Sequence, residues 1–121
     1  MHRRRQPAGA PAYARTARVN ALLQEVLAEE IERLADVDER LRMLTVTGVV
    51  ADPDLRHARV YLASLPADGA EALGEQRRRL QAVIGREVRM RCTPTLEFVA
   101  DPAVEAGERV EQLLRERRRQ D

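Results

Sequence analysis

The 121-residue chain has no lysine and no tryptophan, one cysteine, Cys92, and one serine, Ser64. All 21 basic residues are therefore arginines, whose planar guanidinium groups bind phosphate through two hydrogen bonds where lysine offers a point charge. A lone cysteine excludes an internal disulfide and is compatible with a reducing cytosol, so we expect a cytoplasmic protein. We expect Cys92 to be a small buried hydrophobe, because it falls on the inner parity of a strand.

Long apolar runs and aromatic side chains are also scarce. No run approaches the roughly 20 residues that cross a bilayer, and no hydrophobic stretch follows the basic N-terminus, so we expect neither a membrane span nor a secretory signal. Aromatic residues make up 2% of the chain. This scarcity argues against a sheet that stacks nucleobases on aromatic rings, as RRM and OB folds do.

The sequence contains no catalytic constellation. Ser64 has no nucleophile elbow around it, and the six glycines are scattered, whereas a phosphate-binding loop needs them clustered. Asp52, Asp54 and His57 form a cluster of metal-ligand types, but a proline with flanking aspartates is turn chemistry. We therefore interpret this segment as the turn of a hairpin, and we expect no enzyme activity, no cofactor, no metal and no small-molecule substrate.

Charge is strongly segregated along the chain, although the formal net charge is only +1. The first 18 residues hold five arginines and no acid, whereas Glu25–Glu39 holds seven acids and one arginine. Arginines return at Arg77–Arg79, Arg86–Arg91 and Arg115–Arg119. Local patches set the field that a polyanion meets, so the small net charge does not exclude nucleic-acid binding.

Hydrophobic periodicity predicts the first half of the fold. Apolar residues at helical spacing predict a helix from Tyr13 to about Ala35, whose acidic residues form its solvated face. Alternating β-branched residues predict a strand from Leu44 with a bulge at Gly48. The outgoing strand of the hairpin is predicted over residues 58–65.

The second half is predicted as helix, strand, helix. A helix over residues 70–84 is broken by Gly85, and a strand runs over residues 88–99, where Pro94 indicates an edge position or a bulge. Asp101 and Pro102 open a last helix, whose narrow apolar stripe predicts weak docking or fraying. The order is that of a two-layer α+β domain. We expect a disordered basic arm (residues 1–11), a globular domain (12–101) and a helical tail (102–121).

Three segments in series carry a family resemblance: RTARVNALLQEVLAEEI, LTVTGVVADPDLRHARVYLASL and VRMRCTPTLEFVADPAVEAGERVEQLL. The residues that carry the resemblance within these segments are Arg15, Arg18, Val19, Thr45, Thr47, Val49, Asp54, Leu55, Ala58, Val60, Tyr61, Arg89, Arg91, Pro94, Leu96, Phe98, Asp101, Gly107, Arg109 and Leu114. Over residues 13–115 the chain resembles the ribosome-binding factor A family of bacterial small-subunit assembly factors.

The resemblance implies a type II KH-like fold, with α-β-β-α-β order, a C-terminal helix and a three-stranded sheet packed on helices. It also implies binding to the 30S subunit and its precursor 16S rRNA during late maturation, followed by release before translation. We expect the chain to be a monomer. Family members are not enzymes, and some are needed for growth in the cold.

One departure concerns the RNA-facing helix–kink–helix of this family, which has Ala-x-Gly at the kink. Here Ala72-Leu73-Gly74 stands about one helical turn too early relative to Gly85, and Arg78 is nearest the usual kink. Two alternatives stay open: a displaced kink, or a lost kink for which a triple-arginine helix substitutes.

We expect rRNA phosphates to be bound by arginines on exposed parities of the middle helix and third strand, helped by two on the opening helix and by the basic arm. These residues are Arg15, Arg18, Arg77, Arg78, Arg79, Arg86, Arg89 and Arg91. The alternative is a non-catalytic protein–protein adaptor that uses the acidic face of the first helix.

Overall fold

A computed structural model describes residues 10–120, with side chains from residue 15 onward. Its elements are α1 (Ala10–Leu34), a 3₁₀ turn (Glu39–Leu41), β1 (Val46–Ala51), β2 (His57–Leu62), α2 (Ala67–Glu75), α3 (Arg77–Glu87), β3 (Thr95–Ala100) and α4 (Pro102–Gln120). The predicted α+β class is confirmed, with three strands packed on helices. Most of the predicted basic arm lies outside the described residues, and the division into arm, domain and tail stays a prediction.

Helix α1 provides one wall of the core. Leu23, Leu27 and Ile31 lie one turn apart along its apolar stripe and are almost completely buried, as the 3.6-residue period predicts. The interpretation of the acidic face as wholly solvated is wrong at one position. Glu30 is only 3% exposed, because two arginines meet its carboxylate at the junction with α3.

The sheet has the order β1-β2-β3, with β1 and β2 antiparallel and β2 and β3 parallel. The register of the hairpin shifts between Val46 and Gly48, which confirms the predicted bulge. Beyond the bulge, Val49, Ala58 and Val60 are buried on the face that the helices cover. A two-residue side-chain period with one buried face is what these alternating strands predict.

The single middle helix predicted over residues 70–84 is wrong. Helix α2 begins at Ala67 and ends at Glu75, and α3 begins at Arg77, so the two helices are separated at Gln76. Gly85 does not end the helix, because α3 continues to Glu87. A glycine inside a helix is tolerated where a neighbour lies close, and a Cβ at Gly85 would lie 3.1 Å from Thr93 Oγ1.

The third strand is shorter than predicted, and Cys92 is not in the core. Strand β3 begins at Thr95, directly after the buried Pro94, so residues 88–94 form an irregular segment. Cys92 lies in that segment and is exposed. The prediction of an edge position is confirmed, since among residues 10–120 β3 pairs only with β2. Proline cannot donate a ladder hydrogen bond, which explains why pairing begins just after it.

The last helix begins at Pro102, as Asp101 and Pro102 predict. Asp101 Oδ1 accepts a hydrogen bond from the Ala103 amide at 2.9 Å, and Asp101 Oδ2 accepts one from the Thr47 hydroxyl at 2.6 Å. The remainder of α4 carries no buried residue, in agreement with its narrow apolar stripe. Among the described residues, no helix is long and apolar enough to cross a membrane.

Candidate nucleic-acid interface

Three of the eight predicted arginines come together in one groove, here called the hairpin-end groove. It has a volume of about 520 Å³ and lies between the start of α1, the β1–β2 turn and the irregular segment before β3. Its lining residues are Arg15, Val19, Pro53, Asp54, Leu55, Arg89, Met90, Arg91 and Cys92. The arginines come from segments more than 70 residues apart in the chain, so the fold itself makes this site.

The floor of the groove is apolar and firmly supported. Val19, Leu55 and Met90 are partly buried and pack against the hydrophobic core. Leu55 has a φ of 60°, the one positive φ among the described non-glycine residues. Such a conformation costs about 1–2 kcal/mol in an L-residue, and strained residues of this kind cluster at functional sites.

The β1–β2 turn is fixed by its own hydrogen bonds. The Asp52 amide donates to the His57 carbonyl and the Leu55 amide donates to the Asp52 carbonyl, both at 2.8 Å. Asp54 Oδ1 accepts a hydrogen bond from the Arg56 amide at 3.0 Å. The interpretation of this segment as a hairpin turn is confirmed. Within residues 10–120, no group of three or more acidic, histidine or cysteine side chains is placed to hold a metal ion.

Arg77 lies against the edge of the sheet. Its Nε donates to the Leu96 carbonyl at 3.1 Å, and its guanidinium carbon lies 5.7 Å from the centre of the Phe98 ring. One turn along α3, Gln81 Oε1 accepts a hydrogen bond from the Leu96 amide at 3.2 Å. The two side chains thus satisfy the backbone groups that an edge strand leaves unpaired, and Arg77 has a structural role that the sequence did not predict.

Arg79 is also engaged inside the molecule. Its Nε lies 3.3 Å from Glu30 Oε2, while Arg33 Nη1 donates to Glu30 Oε1 at 2.6 Å. The side chain of Arg79 nevertheless remains 60% exposed. Arg79 therefore links α3 to α1 through one nitrogen and presents the rest of its guanidinium group to solvent.

The other predicted arginines are exposed on the surface: Arg15, Arg18, Arg78, Arg86, Arg89 and Arg91. No hydrogen bond or ion pair joins any of them to another residue whose side chain the structure describes. Unpaired guanidinium groups keep all five N–H donors for a ligand. Arg86 stands one residue before the end of α3, which leads directly into the segment lining the groove.

A cluster of three carboxylates surrounds Arg40, and the sequence does not predict it. The guanidinium group of Arg40 contacts Asp38 at 2.8 Å, Glu71 at 3.0 Å and Glu75 at 2.7 Å, which joins the 3₁₀ turn to α2. These hydrogen bonds lower the pKa of Asp38 and of Glu75 and raise that of Arg40. Asp38 lies two residues from Arg40, but Glu71 and Glu75 lie more than 30 residues away, so no local pattern signals the contact with α2.

The model of the ribosome-binding factor A family matches residues 15–114. The chain belongs to the ribosome-binding factor A family. A relative in Rubrobacter xylanophilus, named ribosome-binding factor A, is 39% identical over 108 residues, which cover 85% of this chain and 87% of that protein. The expected resemblance is thus confirmed along most of the chain.

Solved structures of this family share the fold. The crystal structure of ribosome-binding factor A from Thermus thermophilus is 39% identical and superimposes with a TM-score of 0.64, covering 70% of this chain and 93% of that one. A homology model of the Thermus protein, fitted into a cryo-EM map of a 30S–RbfA complex, is 40% identical with a TM-score of 0.58, covering 69% and 91%. The KH-like fold predicted from the resemblance is consistent with both.

Proposed function

We propose that this chain is a ribosome assembly factor that acts by stoichiometric docking. It binds the 30S subunit and its precursor 16S rRNA during late maturation, and it leaves before translation. It does so as a cytoplasmic monomer, and it catalyses no reaction. Membership of the ribosome-binding factor A family supports this proposal, as does the fit of a 40% identical Thermus homology model into the map of a 30S complex.

The observation that carries the proposal is the convergence of Arg15, Arg89 and Arg91 on one groove. Three guanidinium groups without partners among the described residues form a concentrated positive field that suits a phosphate backbone. Bidentate hydrogen bonds from arginine suit phosphate geometry. This groove is therefore the centre of the proposed interface.

The remaining predicted arginines divide by their contacts. Arg18, Arg78 and Arg86 are exposed but do not line the groove, and we propose that they add to the basic surface. Arg77 and Arg79 stabilise the junctions of α3 with β3 and α1, so replacing them disturbs the fold as well as the surface. Two alternatives were open for the family kink, displacement or loss. The interruption at Gln76, two residues after Gly74, supports a displaced kink.

Co-sedimentation with immature small subunits tests this assignment. We expect the triple variant Arg15→Gln/Arg89→Gln/Arg91→Gln to keep the wild-type thermal unfolding midpoint, because these side chains have no hydrogen-bond or ion-pair partner among the described residues. It is expected to lose at least nine-tenths of its binding. As a matched pair, Arg89→Gln is expected to weaken binding. Arg42→Gln, which removes the charge of another exposed arginine that does not line the groove, is not expected to weaken it.

The rival function, an adaptor acting through the acidic face of α1, makes the opposite prediction. Glu25 and Glu32 remain exposed on that face. Under the present proposal, Glu25→Gln/Glu32→Gln leaves co-sedimentation unchanged or slightly stronger, because acids repel phosphate. The adaptor function would be supported, and RNA docking contradicted, if this variant lost binding while the arginine triple variant bound normally.

A further inference from the structure

We propose that the hairpin-end groove takes an unpaired guanine nucleotide of the RNA, and that Asp54 selects the base. The proposal rests on the proposed function, because it names which part of the rRNA enters the groove. It goes beyond phosphate binding, which is independent of sequence. Three features of the groove support it: its volume, its apolar floor, and Asp54, the one acid among its described lining residues.

The volume is larger than phosphate binding requires. At about 520 Å³, the groove lies within the range of roughly 300–1,000 Å³ typical of small-molecule sites. A regular A-form helix presents phosphates and a shallow minor groove, whereas loops and bulges present bases that can be splayed out. A concave site of this size is therefore suited to a single extruded nucleotide.

The floor has the wrong chemistry for a phosphate and the right one for a base. Val19, Leu55 and Met90 offer apolar surface that packs against the core and is held in place. Burying a charged phosphate against such a surface is unfavourable, whereas the face of a base is compatible with it. Among the side chains that the structure describes, the lining has no aromatic ring, so the planar guanidinium groups of its arginines provide the stacking partners.

Asp54 determines which base fits. Among three arginines a carboxylate repels phosphate, and it accepts hydrogen bonds but donates none. Its Oδ1 already accepts from the Arg56 amide at 3.0 Å, which orients the group. Guanine offers two adjacent N–H donors, N1–H and the N2 amine, and its O6 and N7 accept from arginine. Uracil, cytosine and adenine each offer donors from only one position on that edge.

Fluorescence anisotropy with single-stranded RNA hexamers tests the proposal on the full chain. We expect a uridine hexamer with one central guanine to bind about 5- to 100-fold more tightly than the all-uridine hexamer, as a bidentate base contact implies. A hexamer with inosine, which lacks the N2 amine, is expected to fall between them. Asp54→Asn keeps an oxygen for the Arg56 amide, and it should reduce the guanine preference to less than twofold while leaving uridine-hexamer affinity at or above wild type.

Asp52→Asn is the matched control, because it removes the same charge from the same turn at a residue that does not line the groove. It is expected to keep the guanine preference. Equal affinity for the three hexamers, no binding to any of them, or an unaltered preference in Asp54→Asn would each overturn the proposal. Small-subunit co-sedimentation is a separate measurement. If the protein binds subunits but shows no preference for guanine, this proposal is contradicted and the proposed function is not.

Discussion

Glu30 illustrates how one carboxylate can connect two helices. Its side chain is 4% exposed, whereas Arg33 and Arg79 on either side are 62% and 60% exposed. A buried charge is tolerated when its lone pairs are filled, and both carboxylate oxygens of Glu30 have an arginine partner. The ion pair with Arg79 therefore joins α3 to α1.

Replacing Glu30 by Gln should destabilise the protein. The amide keeps the shape of the side chain but turns an N–H₂ group toward one of the two arginines, so a charged hydrogen bond is lost. We expect the free energy of unfolding in urea to fall by about 1–3 kcal/mol. Glu29→Gln is the control, since Glu29 is 74% exposed and 3.5 Å from Arg33, and it should change stability by less than about 0.5 kcal/mol. Equal effects of the two variants would contradict this role of Glu30.

Sequence reasoning succeeds at single residues when burial follows a local period. Val49, Ala58 and Val60 are buried as their alternation predicts. It fails at Glu30, because the neutralising Arg79 lies 49 residues away. It fails at Cys92, because alternation continues through a segment that is not a strand.

At the scale of elements, the interruption between α2 and α3 is the main feature that periodicity missed. Leu73, Leu80 and Ile84 are buried, and their spacing is equally compatible with one continuous helix. The interruption at Gln76 changes the path of the chain without exposing these residues. The clearer signals, such as the proline and aspartates of the hairpin turn or the Asp101 cap, are local and were predicted correctly.

The Arg40 cluster holds α2 against the 3₁₀ turn, and its acid dependence follows from the sign of the pKa shifts. Hydrogen bonds from Arg40 lower the pKa of Asp38 and of Glu75 below their ordinary values of 3.8 and 4.5. Carboxyl groups with a lowered folded-state pKa add stability above the ordinary pKa, and they lose it as the pH falls through the lowered value.

We therefore expect Arg40→Gln to reduce stability at pH 7 and to flatten the fall in stability below about pH 4.5. Urea unfolding at a series of pH values measures both effects. Arg42→Gln, two residues away, exposed and without a partner among the described side chains, should leave the pH profile unchanged. An Arg40→Gln profile parallel to that of the wild type would show that the cluster is not the source of the acid dependence.

At the scale of the whole molecule, a net charge of +1 conceals a divided surface. The exposed acids of α1 form a negative region, and the arginines of the hairpin-end groove form a positive one. This separation of charge favours one orientation of the protein on a polyanion. The groove combines residues from three segments, around residues 15, 54 and 90. The sequence predicts its arginines as part of a larger set on exposed parities, but the convergence of these three and the acid among them depend on tertiary structure.

The salt dependence of binding measures how many phosphates the protein contacts, and its change in a groove variant measures how many of them the groove contacts. We expect the logarithm of small-subunit affinity to fall linearly with the logarithm of salt concentration, by about 0.7–0.9 per phosphate contact. The variant Arg15→Gln/Arg89→Gln/Arg91→Gln should reduce the magnitude of this slope by about 0.7–0.9 for each of its three arginines that contacts a phosphate. A slope that the triple variant leaves intact would mean that these arginines do not contact phosphate.

The most direct test of the account is a density map of this protein on an immature small subunit. We expect the hairpin-end groove to lie against rRNA, with Arg15, Arg89 and Arg91 within hydrogen-bonding distance of the nucleic acid. The acidic face of α1 is expected to face away from it. A map in which the groove faces solvent and the acidic face of α1 forms the contact would contradict the account.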